Sequence, residues 1–317
     1  MRCLVTGADG FIGSHLVEAL AIAGHEVTGF CQYNSLGSTG WLDTNMCEVV
    51  LGDVRDAGCV MDAVRVYGQD MTFHLAALIG IPYSYKAAQS YIDTNVVGTF
   101  NILQAAQLLE SPVITTSTSE VYGSCQIAPM SETHPLSAQS PYAATKIAAD
   151  QLALSFYRSF GTPVTVVRPF NTYGPRQSLR AFVPQIISQC LDGDVLKLGN
   201  TDAMRDLTFI SDTVAGFLAA MHNGTPGEVY NLGQGSCWKV GKVAELICSL
   251  MGKEMTIVQD EARVRPEKSE VDRLICDATK ARAELDWAPA VGMVEGLRKT
   301  IDWFASNRGK YQQGYVV

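Results

Sequence analysis

The 317-residue sequence predicts an α/β fold: a doubly wound, mostly parallel sheet with helices on both faces, followed by a smaller C-terminal α/β domain. Three observations carry that expectation. The first half alternates short β-rich runs with helical patterns of 12 or more residues, a glycine-rich turn joins the first run to the first helix, and the pattern changes after Pro169.

Arg2–Thr6 reads as the first strand, and Thr6-Gly7-Ala8-Asp9-Gly10-Phe11-Ile12-Gly13 turns directly into a helix with apolar residues at Phe11, Leu16, Ala19 and Leu20. Strands follow at Glu26–Phe30, Glu48–Leu51 and Thr72–Leu75. Ile92, Val96, Phe100 and Leu103 then mark a helix by their spacing. Val113–Thr116 is the fifth strand, Ser140-Pro141 a helix start, and Val164–Val167 the sixth strand. Beyond Pro169 come Gly174, Pro175 and Pro184, short strands mixed with helices, and two late helices at Val240–Met251 and Val294–Ser306. Gly252 suits the stop of the former.

The chain carries 24 Lys plus Arg against 32 Asp plus Glu, a net charge of −8, with no basic block. That balance argues against nucleic acid and against an anionic membrane surface as partners. No apolar run approaches a membrane span and the chain opens on a strand, so the cytoplasm is the expected location. Nine scattered cysteines without a C-x-x-C pair read as ordinary thiols in a reducing compartment, with no metal site expected.

The glycines at 7, 10 and 13 permit a tight turn, a close backbone approach to a pyrophosphate, and tight packing of helix on strand: a Rossmann-type dinucleotide site. The acid expected at the end of the second strand is missing, since that stretch reads Phe30-Cys31-Gln32-Tyr33-Asn34-Ser35. No arginine lies between Arg2 and Arg55 to meet a 2′-phosphate. We therefore expect NAD, with its ribose held by Asn34, Ser35 or backbone groups. Asp53 can accept from an adenine amine, or equally cap the next helix.

Tyr142 and Lys146 stand at i and i+4 on one helix, where an ammonium a turn away stabilises a tyrosinate base. Ser117-Thr118-Ser119-Glu120 follows the fifth strand, at the sheet edge where open α/β folds place their sites. His15 and His74 have no triad-like partners in the sequence and read as packed side chains.

With these motifs in one order, the chain resembles the extended short-chain dehydrogenase/reductase superfamily of nucleotide-sugar enzymes, from about residue 2 to about residue 306. The matching segments are residues 6–13, HLAA (74–77), STSEVYG (117–123), SPYAATK (140–146), RPFNTYGPR (168–176), RDLTFISD (205–212) and YNLG (230–233). The resemblance implies a cofactor site formed by Gly7, Asp9, Gly10, Phe11, Ile12, Gly13, Asp53, Val54, Leu75, Ala76 and Ala77 with Tyr142 and Lys146. It implies catalysis by Thr118, Ser119, Glu120, Tyr142 and Lys146, and substrate binding by Asn171, Arg176, Arg205 and Arg265. The segment Val183–Leu198 is expected as a loop enclosing the nucleotide base.

Residues 1–170, with 207–232 returning, are expected to form the NAD-binding domain, and 171–206 with 233–317 the substrate domain. A homodimer through helices near 85–108 and 141–160 is implied as well. Glu120 marks the subclass, because 4,6-dehydratases and uronate decarboxylases of this superfamily carry an acid there and simple 4-epimerases usually do not. Gly40–Asp43, Ile81–Tyr85 and Arg265–Val271 look most like legionaminic-acid-pathway 4,6-dehydratases, which act on a nucleotide-linked N-acetylglucosamine. UDP- or GDP-N-acetylglucosamine is therefore the expected substrate; a 4-epimerase or a UDP-glucuronate decarboxylase is the alternative. The acid that protonates the leaving C6 hydroxyl stays open among Ser119, Glu120 and water.

Overall fold

The alternation of apolar strands and amphipathic helices folds as a sheet buried on both faces, as its composition requires. The computed structural model describes residues 1–68 and 70–311. Among these, β1 (Arg2–Thr6), α1 (Phe11–Ile22), β2 (Glu26–Gln32), β3 (Glu48–Gly52), α2 (Ala57–Tyr67) and β4 (Met71–His74) form the first half of the sheet. The short helices α3 (Ile81–Ser84) and α4 (Ala88–Tyr91) lead through a π-helical turn, Ile92–Val97, into α5 (Gly98–Leu109). Then follow β5 (Val113–Thr116), a 3₁₀ turn at Ser119–Tyr122, α6 (Pro141–Phe160) and β6 (Val164–Pro169).

The six expected strands thus form where the sequence places them, within a residue or two at their ends. Leu103 of the predicted helical spacing is buried, whereas Ile92 and Phe100 face outward at 43% and 38% exposure.

After β6 the chain builds β7 (Asn171–Tyr173), α7 (Phe182–Asp192), β8 (Val195–Leu198), β9 (Met204–Phe209), α8 (Ile210–Asn223) and β10 (Val229–Leu232). The last elements are β11 (Cys237–Lys239), α9 (Val240–Met251), β12 (Thr256–Gln259), α10 (Thr279–Leu285) and α11 (Met293–Asn307). Gly252 closes α9 at φ +63°, a left-handed conformation that suits glycine.

The large sheet has the order β10-β6-β5-β4-β1-β2-β3, and every pairing in it is parallel. Because β1 lies between β2 and β4, the chain reverses direction across the sheet there, opening a crevice at the carboxyl ends of β1 and β4. Leu16, Val17 and Leu20 of α1 pack with Val214 and Phe217 of α8 on one face. On the other, Val60 and Val64 of α2 meet Ile102, Leu103 and Ala106 of α5 and Ala153 and Leu154 of α6.

Of the segment 207–232, Ile210–Leu232 joins the large sheet through α8 and β10. Leu207–Phe209 instead continues β9, which lies between β7 and β11 in a small three-stranded sheet. β8 and β12 form a separate parallel pair. The expected loop at Val183–Leu198 is corrected: it is α7 followed by β8, and Val183, Ile186, Ile187 and Cys190 are buried in the core. Its apolar spacing pulls those side chains inward, so that face of the helix is turned into the core.

Candidate active site

The glycine turn is shaped by close approaches. Gly7 has φ +67°, and a Cβ there would sit 2.9 Å from the Ala76 backbone; a Cβ on Gly13 would sit 2.1 Å from the Gly7 carbonyl oxygen. Thr6 holds the opposite wall. Its Oγ1 accepts from the Leu75 and Ala76 amides at 3.2 and 3.1 Å and lies 2.9 Å from His74 Nδ1. Helix α1 starts at Gly10 with no side-chain cap and no acid in its first turn, so the N–H groups of Phe11 and Ile12 are free to meet an anion. These features fit a bound dinucleotide: backbone packs on backbone through the turn, and the start of α1 carries no side-chain cap to compete with a pyrophosphate.

Around it, Asp9 is partly desolvated, which raises its carboxyl above the usual range, while its own backbone amide acts the other way. Its carbonyl accepts from the Trp41 amide at 3.1 Å. Leu75, Ala76 and Ala77 are half-buried along the crevice. Val54 packs against the start of α5, and its carbonyl accepts from Asn101 Nδ2 at 2.9 Å.

Two sequence-predicted cofactor residues are engaged locally. Asn34 closes its own loop, accepting from the Leu36 and Ser38 amides and donating to the Ser38 carbonyl at 2.7 Å, which leaves Ser35 exposed beside it. Asp53 receives the Arg55 amide and guanidinium, and that arginine holds its carboxyl below the usual carboxylate range. The cap of α2 is Asp56, which accepts from the Cys59 amide at 2.8 Å.

Across the crevice, β5 delivers Ser117 and Thr118 to the mouth, and Thr118 caps the 3₁₀ turn by accepting from the Glu120 amide at 3.3 Å. Helix α6 starts where Ser140 caps it, accepting from the Ala143 amide at 3.1 Å, with Pro141 in its first turn. This puts Tyr142 and Lys146 on the face turned to the crevice. The Thr118 hydroxyl stands close enough to the Tyr142 hydroxyl to favour its ionised form, and Lys146 Nζ donates to the Thr116 carbonyl at 2.5 Å. Burial drives the Tyr142 phenol well above its ordinary value, the Glu120 charge adds to that, and the Thr118 hydroxyl opposes it. Burial lowers Lys146, with Asp150 opposing. A phenol so placed becomes a base only when positive charge gathers beside it.

Ser119 and Glu120 are buried on the same turn, Glu120 at 8% exposure. Glu120 acts electrostatically on Arg205, whose guanidinium donates to the Val271 carbonyl at 2.7 Å and pairs with Glu270 at 3.2 Å. Arg265 is also within electrostatic reach of Arg205, and its Nη1 is buried without a hydrogen-bond partner, as is Asn171 Oδ1. Buried groups of that kind are costly unless a ligand meets them. The 265–270 segment is fastened to the active-site side: Tyr85 Oη lies 2.6 Å from Ser269 Oγ, which donates to the Gln139 carbonyl.

The structure therefore brings Thr118, Ser119, Glu120, Tyr142, Lys146 and Arg205 together, with Arg265 beside Arg205. Arg176 pairs with Glu18 of α1 at 2.6 Å and its guanidinium lies over the Trp303 ring, tying the β7 side of the fold to α1, while its Nη1 is buried without a hydrogen-bond partner, as in Arg265. His15 and His74 pack as expected: His15 Nε2 is 3.2 Å from the Pro175 carbonyl, and His74, held neutral by burial, lies between Thr6 and Thr99.

Sequence reasoning missed Arg180, an exposed cation that opposes the rise burial imposes on the Tyr91 phenol, whose ring lies 6.3 Å from that of Tyr142. It also missed Asn95, which joins Leu78 to Thr145 of α6. Neither belongs to a motif; only the packing of α4, the π-helical turn and α6 reveals them.

The family model for GDP-mannose 4,6-dehydratase matches residues 4–300. A dTDP-glucose 4,6-dehydratase of Actinoplanes sp. is 34% identical, with 97% of this chain and 99% of that one covered. A UDP-N-acetyl-alpha-D-glucosaminuronate decarboxylase of Bacillus cytotoxicus is 35% identical over 96% of this chain and 97% of its own. Among solved structures, a dTDP-glucose 4,6-dehydratase of Streptomyces venezuelae with NAD bound superimposes with a TM-score of 0.90 at 31% identity, covering 98% of this chain and 99% of that one.

Proposed function

The chain belongs to the nucleotide-sugar epimerase/dehydratase family of extended short-chain dehydrogenases/reductases, and from that premise we propose that it is an NAD-dependent nucleotide-sugar 4,6-dehydratase, a lyase. The observation that carries the reading is the buried Glu120 carboxylate on the turn capped by Thr118, the residue whose hydroxyl also neighbours that of Tyr142. An enzyme that only oxidises and re-reduces C4 has no use for a second base at that point.

Gly7, Gly10, Gly13, Phe11 and Ile12 would hold the pyrophosphate of NAD, with Asp9, Val54 and Leu75–Ala77 lining the rest. NAD held there would supply a reversible hydride acceptor, so that the hydride lost from C4 can return at C6. Tyr142, as tyrosinate, takes the proton of the sugar 4-hydroxyl, while Lys146 stabilises its charge and Thr118 orients it. The new 4-ketone acidifies the C5 proton, which Glu120 removes as hydroxide leaves C6 and departs, protonated, as water. With the hydride at C6 and a proton at C5, the product is a 4-keto-6-deoxy sugar nucleotide. Ser119, Glu120 or a water gives the leaving group its proton, the two side chains being carried by the turn that Thr118 caps. Arg205 and Arg265, with Asn171, hold the substrate diphosphate and its neighbours; Arg205 already shares its charge with Glu270, so Arg265 is the less neutralised of the two.

The substrate we propose is UDP- or GDP-N-acetylglucosamine, supported by the segments 40–43, 81–85 and 265–271. Residues 171–206 and 233–311, built around the small sheet, form the part that holds it. A homodimer is supported by apolar side chains left exposed along two neighbouring helices, Phe100 and Leu108 on α5 and Tyr157 and Phe160 on α6. Decarboxylation of a nucleotide uronate is the second reading, favoured by the 35% identical relative from Bacillus cytotoxicus. Glu120→Gln separates the roles: we expect it to slow turnover by about 10²- to 10⁴-fold while C4 oxidation persists as reduced nicotinamide. Normal turnover by that variant would remove the elimination step from Glu120.

A further inference from the structure

Beneath the catalytic turn lies a buried polar assembly that the mechanism above does not use. Asp150 is on α6, one turn beyond Lys146 and two beyond Tyr142, so all three share a face. Its Oδ2 accepts from Ser117 Oγ at 2.6 Å and from Arg168 Nε at 3.0 Å, and lies 2.9 Å from Arg168 Nη2. Asp150 and Arg168 are about 2–3% exposed. Arg168, on β6, donates from Nη1 to Tyr122 Oη at 2.8 Å, and its guanidinium lies 5.1 Å from the centre of that ring. Tyr122 donates in turn to Asn231 Oδ1 of β10 at 2.8 Å.

The placement is specific. Ser117 immediately precedes Thr118, and Tyr122 ends the 3₁₀ turn that carries Ser119 and Glu120. One ion pair therefore grips the turn at both ends, and its carboxylate stands on the same helix face as the oxidation pair. Breaking a buried pair by removing one partner is strongly destabilising, so such an arrangement also fixes relative positions firmly.

We propose that Asp150 is a positioning residue for the reaction: through Ser117 and Arg168 it holds the Glu120 turn in register with α6, and its carboxylate, on the same helix face, contributes to the field at Tyr142 and Lys146. This deepens the dehydratase reading and rests on it for the role of Glu120. The groups facing the pair are few. Glu120 comes from the turn, Tyr91 from α4, Arg168 from β6 and Tyr122 from the end of the turn, while His74 of β4 stays neutral, its pKa pushed down to about 3. Asp150 raises both Tyr142 and Lys146, so removing its charge moves both the same way.

The test is the pH dependence of C4 oxidation, read as formation of reduced nicotinamide with a nucleotide sugar in the full-length holoenzyme. That step is common to dehydratase, epimerase and decarboxylase, so water loss, measured separately by mass spectrometry, decides the dehydratase reading alone. Asp150→Asn is expected to move both limbs of the profile to lower pH, by about one unit. Limb positions do not depend on the fraction of active protein. Ser117→Ala keeps the ion pair and the charge; its limbs should match wild type while the step after oxidation slows, so that reduced nicotinamide persists about 10-fold longer. Limbs in Asp150→Asn that coincide with wild type overturn the proposal. Should that variant not fold, an unchanged lifetime of reduced nicotinamide in Ser117→Ala overturns it.

Discussion

Gly13→Ala isolates the geometry of the cofactor cradle. The added Cβ would lie 2.1 Å from the Gly7 carbonyl oxygen and 2.9 Å from its carbon, about 1.3 Å short of ordinary contact at 3.4 Å. Both neighbours are backbone, so no side chain can swing away; the turn or the start of α1 must move by that amount. A displacement of this size misaligns the first-turn N–H groups. Losing two hydrogen bonds to a charged pyrophosphate, at roughly 1.5–3 kcal/mol each, costs about 3–6 kcal/mol, or about 10²- to 10⁴-fold in NAD affinity. Gly193→Ala is the control, because a Cβ there meets nothing within 4 Å and its φ of −178° is extended backbone. NAD content after purification and NAD titration of the stripped protein give the readout. Wild-type affinity in Gly13→Ala would refute the reasoning that backbone approach at this turn makes the site.

Other consequences follow from the same structure. Arg265→Ala should raise KM for the nucleotide sugar about 10- to 100-fold with a smaller effect on kcat, whereas Arg176→Ala should leave KM unchanged and cost about 1 kcal/mol in a urea titration, through its pair with Glu18. His74 titrates near pH 6.5 when unfolded but near 3 in the fold, so the unfolded chain binds the extra proton. The stability this confers is complete above about pH 6.5 and lost as pH falls toward about 3. His74→Gln should flatten that slope in urea midpoints measured across the window. Phe100→Glu should convert a dimer to a monomer in light scattering at micromolar concentration; a monomeric wild type would contradict the proposed interface.

The features that depend on local backbone chemistry could be read from the sequence. The turn at 6–13, the Ser140 cap before Pro141 and the Gly252 stop each need particular residue types at particular spacings, and each forms as expected. What escaped was long-range choice of partner. Arg176 and Arg205 are equally plausible clamps along the chain; only folding sets Glu18, 158 residues away, against the first and Glu120 near the second. Asp53 and Asp56 are both acceptable caps, and the geometry of the turn before α2 selects Asp56. The apolar spacing of α7 was hidden by the prolines and glycines that precede it. Asp150 and Arg168 read as ordinary charges until the fold buries them together.

The central claim concerns water. Incubating the purified protein with UDP- and GDP-N-acetylglucosamine and weighing the sugar nucleotide by mass spectrometry tests it most directly. The account predicts loss of one water from one of them, with NAD neither consumed nor left reduced. An unchanged mass with inverted stereochemistry at C4, or loss of carbon dioxide from the corresponding uronate without dehydration of either sugar, would contradict it.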